Sequence, residues 1–352
     1  MTSPYILRGF GFHTPERILT NKDLEKIVDT SDEWITSRTG IQQRHVLSEG
    51  EINSDLAVGA ARKALAHAGL TADDVTHIIV ATCTPDASCP NTASIVAHKL
   101  GRANVMAMDC NAACSGFLYI LTVARGLVAV EKDACILLIA SETITYHCDW
   151  TDRSTCVLFG DGAGAVVMTN KEGALENTDN FGIPTSSTPN YVADAPANGL
   201  SATLEDVMVS ADGSLGELLT IGTIKACPSL GDPITEDYFI HMRGPEVFKH
   251  AVRSMTTISK AIIARNGLTT EDIDLIIPHQ ANLRIIDAVS SRLGVTEEKV
   301  FINVQNYGNT SAASVPLAIA DAIAKGRIKR GDRVLLTTFG GGFTWGAALL
   351  RF

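Results

Sequence analysis

Three side chains able to do chemistry together stand where apolar runs end or helix-like stretches begin. Cys114 lies in DCNAACSGF (109–117), after an apolar run (105–108) and before a helix-like stretch (115–130). His279 lies in IIPHQAN (276–282), closing another apolar run, and Asn309 lies in NYGNTSAAS (306–314), ahead of a second helix-like stretch. A cysteine at a strand-to-helix turn has backbone N–H groups and the positive end of a helix dipole beside it. Both favour the thiolate, which is the nucleophile.

Such a site needs elements that bring distant residues together, and an internal repeat supplies them. GLTADDVTHIIV (69–80) aligns without a gap with GLTTEDIDLIIP (267–278). Each follows a helix-like stretch and leads into a strand. In the first copy Ser54 reads as the N-cap of that helix and Gly69 as its C-terminal stop. Downstream, 105–117 corresponds to 301–313, 133–142 to 332–341, and 159–168 to 339–350. One α/β unit is used twice, with strands alternating with helices in largely parallel sheets. The pattern divides the chain into a first half (1–169), a connecting insertion (170–237) rich in turn residues, and a second half (238–352). Within the insertion, SLGELLTIGTI (214–224) reads equally as a strand or a lid. A pseudo-twofold axis between the halves would bring the Cys114 and Asn309 turns, and the end of the His279 strand, to one pocket at the strand ends.

Composition bounds the alternatives. The chain has 352 residues, 45% hydrophobic and 19% charged, enough for a sizeable core. Its net charge of −10 argues against a general nucleic-acid binder. No uninterrupted apolar run is long enough to cross a bilayer, and Pro4, Arg8 and Gly9 stand where a signal peptide needs an apolar core. These features predict a cytoplasmic protein with no membrane or nucleic-acid partner. Of the eight cysteines only Cys110 and Cys114 are close in sequence, which argues against a zinc site and for reduced thiols. FGDGAG (159–164) reads as a tight turn between elements rather than a phosphate loop.

These motifs resemble those of the thiolase superfamily, and more closely of the β-ketoacyl-[acyl-carrier-protein] synthase III family. The resemblance runs nearly end to end. It includes TSDEWITSRTGI (30–41), TDRSTCVLFGDGAGA (151–165), HQANLRII (279–286) and the terminal FGGGFTWGAALLRF (339–352). The connecting insertion is longer than the family's. The resemblance implies a thiolase-like duplicated α/β fold, layered αβαβα with pseudo-twofold symmetry. It implies an acyltransferase that starts type II fatty-acid synthesis by decarboxylative condensation of an acyl-CoA primer with malonyl-acyl carrier protein. Cys114 would carry the acyl group as a thioester, and His279 and Asn309 would hold the enolate left after decarboxylation. Backbone N–H groups of Cys114 and Gly341 would hold the tetrahedral oxyanion. Trp34, Arg38 and Arg153 would hold the CoA adenine, and Asn282 the pantetheine arm. Lys249 and Arg284 would receive the acidic carrier protein. Cys89, before Pro90, would line the acyl channel of a partner subunit in a homodimer. No cofactor and no metal are implied, since acyl-CoA is a substrate.

Two other readings share these residues. A specialised condensing enzyme of secondary metabolism, priming alkylquinolone or polyketide synthesis, would use the same triad. A non-catalytic scaffold binding acyl carrier protein would not need an intact triad. A biosynthetic thiolase would carry a second cysteine in the C-terminal glycine motif, where this chain has FGGGF. Elongating synthases use two histidines where this chain has His279 and Asn309.

Overall fold

The computed structural model describes residues 5–131, 133–170, 199–224 and 236–352. The first half runs β1 (Ile6–His13), β2 (Ile18–Thr20), α1 (Asn21–Leu24), α2 (Asp32–Thr39), β3 (Gln43–His45), α3 (Asn53–Ala68), β4 (His77–Ala81), α4 (Thr92–Lys99), β5 (Met106–Cys110), α5 (Gly116–Val130), β6 (Cys135–Glu142) and β7 (Gly162–Thr169). Then come β8 (Ala202–Ala211), β9 (Leu219–Ile224), β10 (Glu236–Met242), α6 (Gly244–Arg265), β11 (Leu275–Pro278), α7 (Leu283–Leu293), α8 (Val304–Tyr307), α9 (Ser314–Ala324), β12 (Arg333–Gly340) and β13 (Thr344–Arg351).

The repeat in the sequence is a repeat in the fold. Nine strands pair in the order β11-β12-β13-β8-β1-β7-β6-β4-β5. Outward from the β1–β8 contact, each half reads the same way: two antiparallel neighbours, then parallel strands. In the second half a parallel bridge from Ile276 to Val300 stands where the first half has β5. The two aligned segments fold alike in detail. Asp74 bonds the backbone and hydroxyl of Thr71, and Asp272 does the same to Thr269.

Three cores account for five layers. α3 and α4 pack on one face of the first-half strands, through Ile78, Val80, Leu137 and Ile139. α6 and α7 pack on the second-half strands, through Ile276, Leu335 and Leu349. The opposite faces of both sets, with Ile79, Leu138, Ile277 and Leu336, enclose α5 and α9 between them. Strands apolar on both faces belong in such a layered fold. Each fully buried Leu or Ile contributes about 1.5–3 kcal/mol of transfer free energy. The alanines of α3 have a reason: a Cβ on Gly11 of β1 would come 2.4 Å from the Ala64 nitrogen, so helix and strand sit too close for larger groups.

The structure amends several expectations. The segment Ala113–Val130 has the length and hydropathy of a membrane span, with Arg125 its only charge, yet it runs through the central layer and half of it is buried. The N-terminus of α3 lies at Asn53, where Asp55 bonds the Ile52 N–H, so Ser54 is inside the helix and not its cap. The interval 170–237 is not only a connection. It contains β8, which pairs with β13 and β1 and is the second half's counterpart of β1. The first part of SLGELLTIGTI belongs to a 3-10 helix, Gly213–Leu218, and Leu219–Ile224 is the strand β9, paired with β10. The remainder of that interval, 171–198 and 225–235, lies outside the described residues.

Candidate active site

The Cys114 and Asn309 turns are the same turn made twice. The Asn111 carboxamide oxygen accepts the Ala113 N–H (3.2 Å), and the Asn309 oxygen accepts the Ser311 N–H (2.9 Å). Ala113 and Ser311 both take left-handed backbone, with φ of 46° and 50°. Each opens a 3-10 turn that continues into the central helix, α5 or α9. Asn309 thus answers to Asn111, and Cys114 to Ala312. The halves share the scaffold and place different chemistry on it.

Neighbouring segments hold both turns. Thr344 donates its hydroxyl to the Ala112 carbonyl (2.8 Å), and Ser115 donates to the Thr344 carbonyl (3.1 Å). A Cβ on Gly340 would stand 2.6 Å from the Cys114 nitrogen and 3.0 Å from its Cβ, so the glycine run presses directly on the Cys114 backbone. The FGDGAG segment clamps Asn309 instead of forming a phosphate loop: Asn309 donates to the Leu158 carbonyl (2.8 Å) and accepts from the Gly160 N–H (3.0 Å). With its carboxamide oxygen already engaged, Asn309 has its N–H₂ group left to donate.

His279 follows β11 and gives its N–H to the Thr337 carbonyl (2.8 Å). Its Nδ1 is 2.5 Å from the Ser314 hydroxyl, whose oxygen is also 3.4 Å from the Gln280 N–H. The Ser314 oxygen accepts from Gln280, which leaves its hydrogen available to Nδ1 in the tautomer that carries the ring proton on Nε2. Burial pulls the imidazole down to about 4, so it is a neutral donor at neutral pH.

Cys114 departs from the expected thiolate. Burial pushes its thiol up to about 11, while the Ser311 hydroxyl at 3.5 Å works in the other direction. Burial outweighs the helix start, and the resting group is a thiol.

Two cavities meet at Cys114, Phe159 and Leu219. The larger, about 620 Å³, is lined by Cys114, His279 and Asn309 inside and by Trp34, Arg38, Arg153, Asn282, Lys249 and Arg284 further out. Trp34 and Arg38 come from α2, whose start is capped by Ser31. Arg153 lies 5.0 Å over the Trp34 ring and donates to the Asp29 carbonyl, so it stacks on the indole itself with no space for a ring between them. Asn282 caps α7 through its oxygen and keeps its N–H₂ free of that bond. The smaller cavity, about 450 Å³, is mostly apolar, with Cys83, Ile144, Ile221, Ile240 and Gly341 in its wall. Cys89 is exposed and lines neither cavity.

Residues missed by the sequence reading are Ser311, Ser314, Glu142 and the apolar wall from β9 and β10. One signal existed: Glu142 is the one charged residue of β6, CILLIASE. A nucleophilic thiol, two neutral donors and a tight glycine backbone can together form a thioester and stabilise an enolate. The contact at Gly340 carries its own prediction. Gly340→Ala is expected to lower stability by about 1–3 kcal/mol and activity at least about tenfold, because backbone cannot yield as a side chain can. Denaturant midpoints and kcat/KM check this; a variant equal to the unsubstituted chain in both would contradict the close approach.

Comparison with known proteins agrees over the whole chain. Residues 263–352 match the family described as 3-oxoacyl-[acyl-carrier-protein] synthase III C terminal, and residues 108–183 match 3-oxoacyl-[acyl-carrier-protein] synthase III. A β-ketoacyl-[acyl-carrier-protein] synthase III of Nitratidesulfovibrio vulgaris is 61% identical over 353 residues, covering 100% of both chains. One of Oleidesulfovibrio alaskensis is 54% identical, covering 99% of each. The crystal structure of 3-oxoacyl-[acyl-carrier-protein] synthase III from Aquifex aeolicus superposes with a TM-score of 0.84 at 43% identity, covering 99% of this chain and 100% of that one.

Proposed function

Because the chain belongs to the β-ketoacyl-[acyl-carrier-protein] synthase III family, we propose that Cys114, His279 and Asn309 are the residues with which it performs that family's reaction. It is an acyltransferase of fatty-acid biosynthesis: it condenses an acyl-CoA primer with malonyl-acyl carrier protein, giving 3-oxoacyl-acyl carrier protein and carbon dioxide. Priming of secondary metabolism and a non-catalytic scaffold are not favoured.

The observation that carries the residue assignment is the larger cavity, whose inner end holds the triad and whose mouth holds Trp34, Arg38, Arg153, Asn282, Lys249 and Arg284. In our reading Cys114 takes the acyl group, and the Cys114 and Gly341 N–H groups hold the oxyanion. His279 through Nε2–H and Asn309 through its N–H₂ then hold the enolate oxygen. The CoA adenine stacks at Trp34, flanked by Arg38, once Arg153 swings off the indole. Asn282 bonds the pantetheine arm. Lys249 and Arg284, both exposed, meet the acidic carrier protein. The apolar cavity beside Cys114 takes the acyl chain. The reaction needs no cofactor, and we assign the enzyme to the cytoplasm as a homodimer. The test is a panel of acyl-CoA primers with malonyl-acyl carrier protein, read by the mass of the carrier-bound product. A 3-oxoacyl product from CoA primers is expected; product only from acyl-carrier-protein primers would contradict the reading.

Primer length follows from Cys89. In a homodimer this small side chain would border the partner's acyl channel, where a large aromatic would close it. Primers longer than acetyl should therefore be accepted, each added methylene gaining up to ~0.8 kcal/mol from burial. Cys89→Phe should shift kcat/KM back toward acetyl-CoA over butyryl- and octanoyl-CoA. An unchanged ranking would rule Cys89 out as the gate.

A further inference from the structure

The thiol of Cys114 must lose a proton before it can take an acyl group, and the structure holds an acceptor two hydrogen bonds away. Glu142, at the end of β6, is fully buried. None of the ion pairs among the described residues involves it. Its two oxygens are not alike. Oε2 accepts from the Thr84 hydroxyl (2.7 Å), the Cys83 N–H (3.1 Å) and the Thr82 hydroxyl (3.2 Å). Oε1 faces the Ser311 hydroxyl (3.1 Å) and the Cys83 thiol (3.3 Å). That same Ser311 hydroxyl is 3.5 Å from the Cys114 sulfur. One serine thus touches both nucleophile and carboxylate, and its left-handed backbone, braced by Asn309, fixes it there.

We propose that Glu142 is the acceptor of the Cys114 proton, reached through Ser311, and that it stores this proton for the lifetime of the acyl-enzyme. This deepens the assignment of Cys114 as the acylated residue and rests on it. In the first step the Ser311 hydroxyl, which can donate either to the Cys114 sulfur or to Glu142 Oε1, gives its proton to Oε1 and takes the thiol proton on Oγ. The sulfur attacks the acyl-CoA carbonyl, the S–C bond forms, and the CoA thiolate leaves to take a proton from water. In the second step malonyl loses carbon dioxide, the carbanion attacks the thioester, and the Cys114 thiolate leaves. Glu142 then returns its proton through Ser311, restoring thiol and carboxylate. Between the steps the carboxyl is neutral, so no buried negative charge opposes the malonyl carboxylate or the enolate. Burial raises Glu142 above the ordinary carboxylate range, which fits a group that must hold a proton.

The titratable groups facing Glu142 are Cys83, after β4, and Cys114, before α5; Ser311, before α9, does not titrate in this range. Cys83 is held well above the ordinary thiol value by burial and by Glu142, so it stays a thiol and donates. Internal transfer changes no net charge. Acylation should therefore be flat with pH from above the Glu142 pKa to about 11, where Cys114 itself titrates.

The experiment is quench-flow acylation of the full chain by acetyl-CoA, followed by intact mass across pH, for the unsubstituted chain, Glu142→Gln and Ser311→Ala. Glutamine keeps the size and cannot take the proton; alanine removes only the relay hydroxyl. Both variants should acylate at least about tenfold more slowly at neutral pH, with a rate rising about tenfold per pH unit as the thiolate fraction grows. A flat profile in Glu142→Gln, even with a uniformly lower rate, overturns the proposal. If that variant does not fold, a flat profile in Ser311→Ala does so. A rising profile in Glu142→Gln with a flat one in Ser311→Ala overturns the route through Ser311. No acyl group on Cys114 of the unsubstituted chain would instead overturn the nucleophile assignment beneath it.

Discussion

Cys114→Ser is expected to lose condensation by a thousandfold or more, on the order seen when an enzyme loses its nucleophile. A serine hydroxyl gives up its proton far less readily than a thiol, and here even the thiol is pushed up to about 11 by burial. The substitution should leave the fold intact, since the turn is held by Thr344 and Ser115 rather than by the sulfur. Steady-state formation of 3-oxoacyl-acyl carrier protein measures the loss, and circular dichroism checks the fold. Retention of even a tenth of the activity in a folded Cys114→Ser chain would contradict the mechanism.

His279→Ala and Asn309→Ala should each lose malonyl decarboxylation by at least about a hundredfold, the scale for removing one oxyanion donor. Acylation by acetyl-CoA should persist in His279→Ala, whose side chain lies outside the Cys114–Ser311–Glu142 chain, and survive only in part in Asn309→Ala, which removes the brace on Ser311. The pH dependence separates the two donors further. Burial lowers His279 from its ordinary value to about 4, so it is neutral above that point and gains a proton only below it. Decarboxylation should show no inflection near 6.5, because His279 gains its proton only as acid approaches 4. Carbon dioxide release from malonyl-acyl carrier protein reports both effects. Normal decarboxylation in the two variants would remove the proposed roles.

Much of this architecture is legible in the chain because the duplication repeats small, local chemistry. The Thr71–Asp74 and Thr269–Asp272 pairs recur at one spacing, and each precedes a strand. Cys114 and His279 stand out because each closes or follows an apolar run, and Asn309 because it stands just ahead of a helix-like stretch. β8 is harder to see, since ATLEDVMVSA carries Glu205 and Asp206 in its middle. Only the folded chain shows that Arg333 and Arg265 pair with them, at 2.7 and 2.5 Å. The thiol state of Cys114 is invisible for a related reason: a helix start is local and readable, whereas burial comes from the packing of two halves. Ser311 and Ser314 sit in an unremarkable run of small residues, and Glu142 is marked only as the charge at the end of β6. Their roles arise only when α5, α9 and the end of β6 converge.

The central claim is that Cys114 carries the acyl group. Incubation with acetyl-CoA, intact mass and peptide mapping test it directly. The prediction is one acetyl group per chain, on the peptide holding Cys114 and absent from Cys114→Ser. An adduct on Cys110 or Cys83, or none while condensation proceeds, would contradict it.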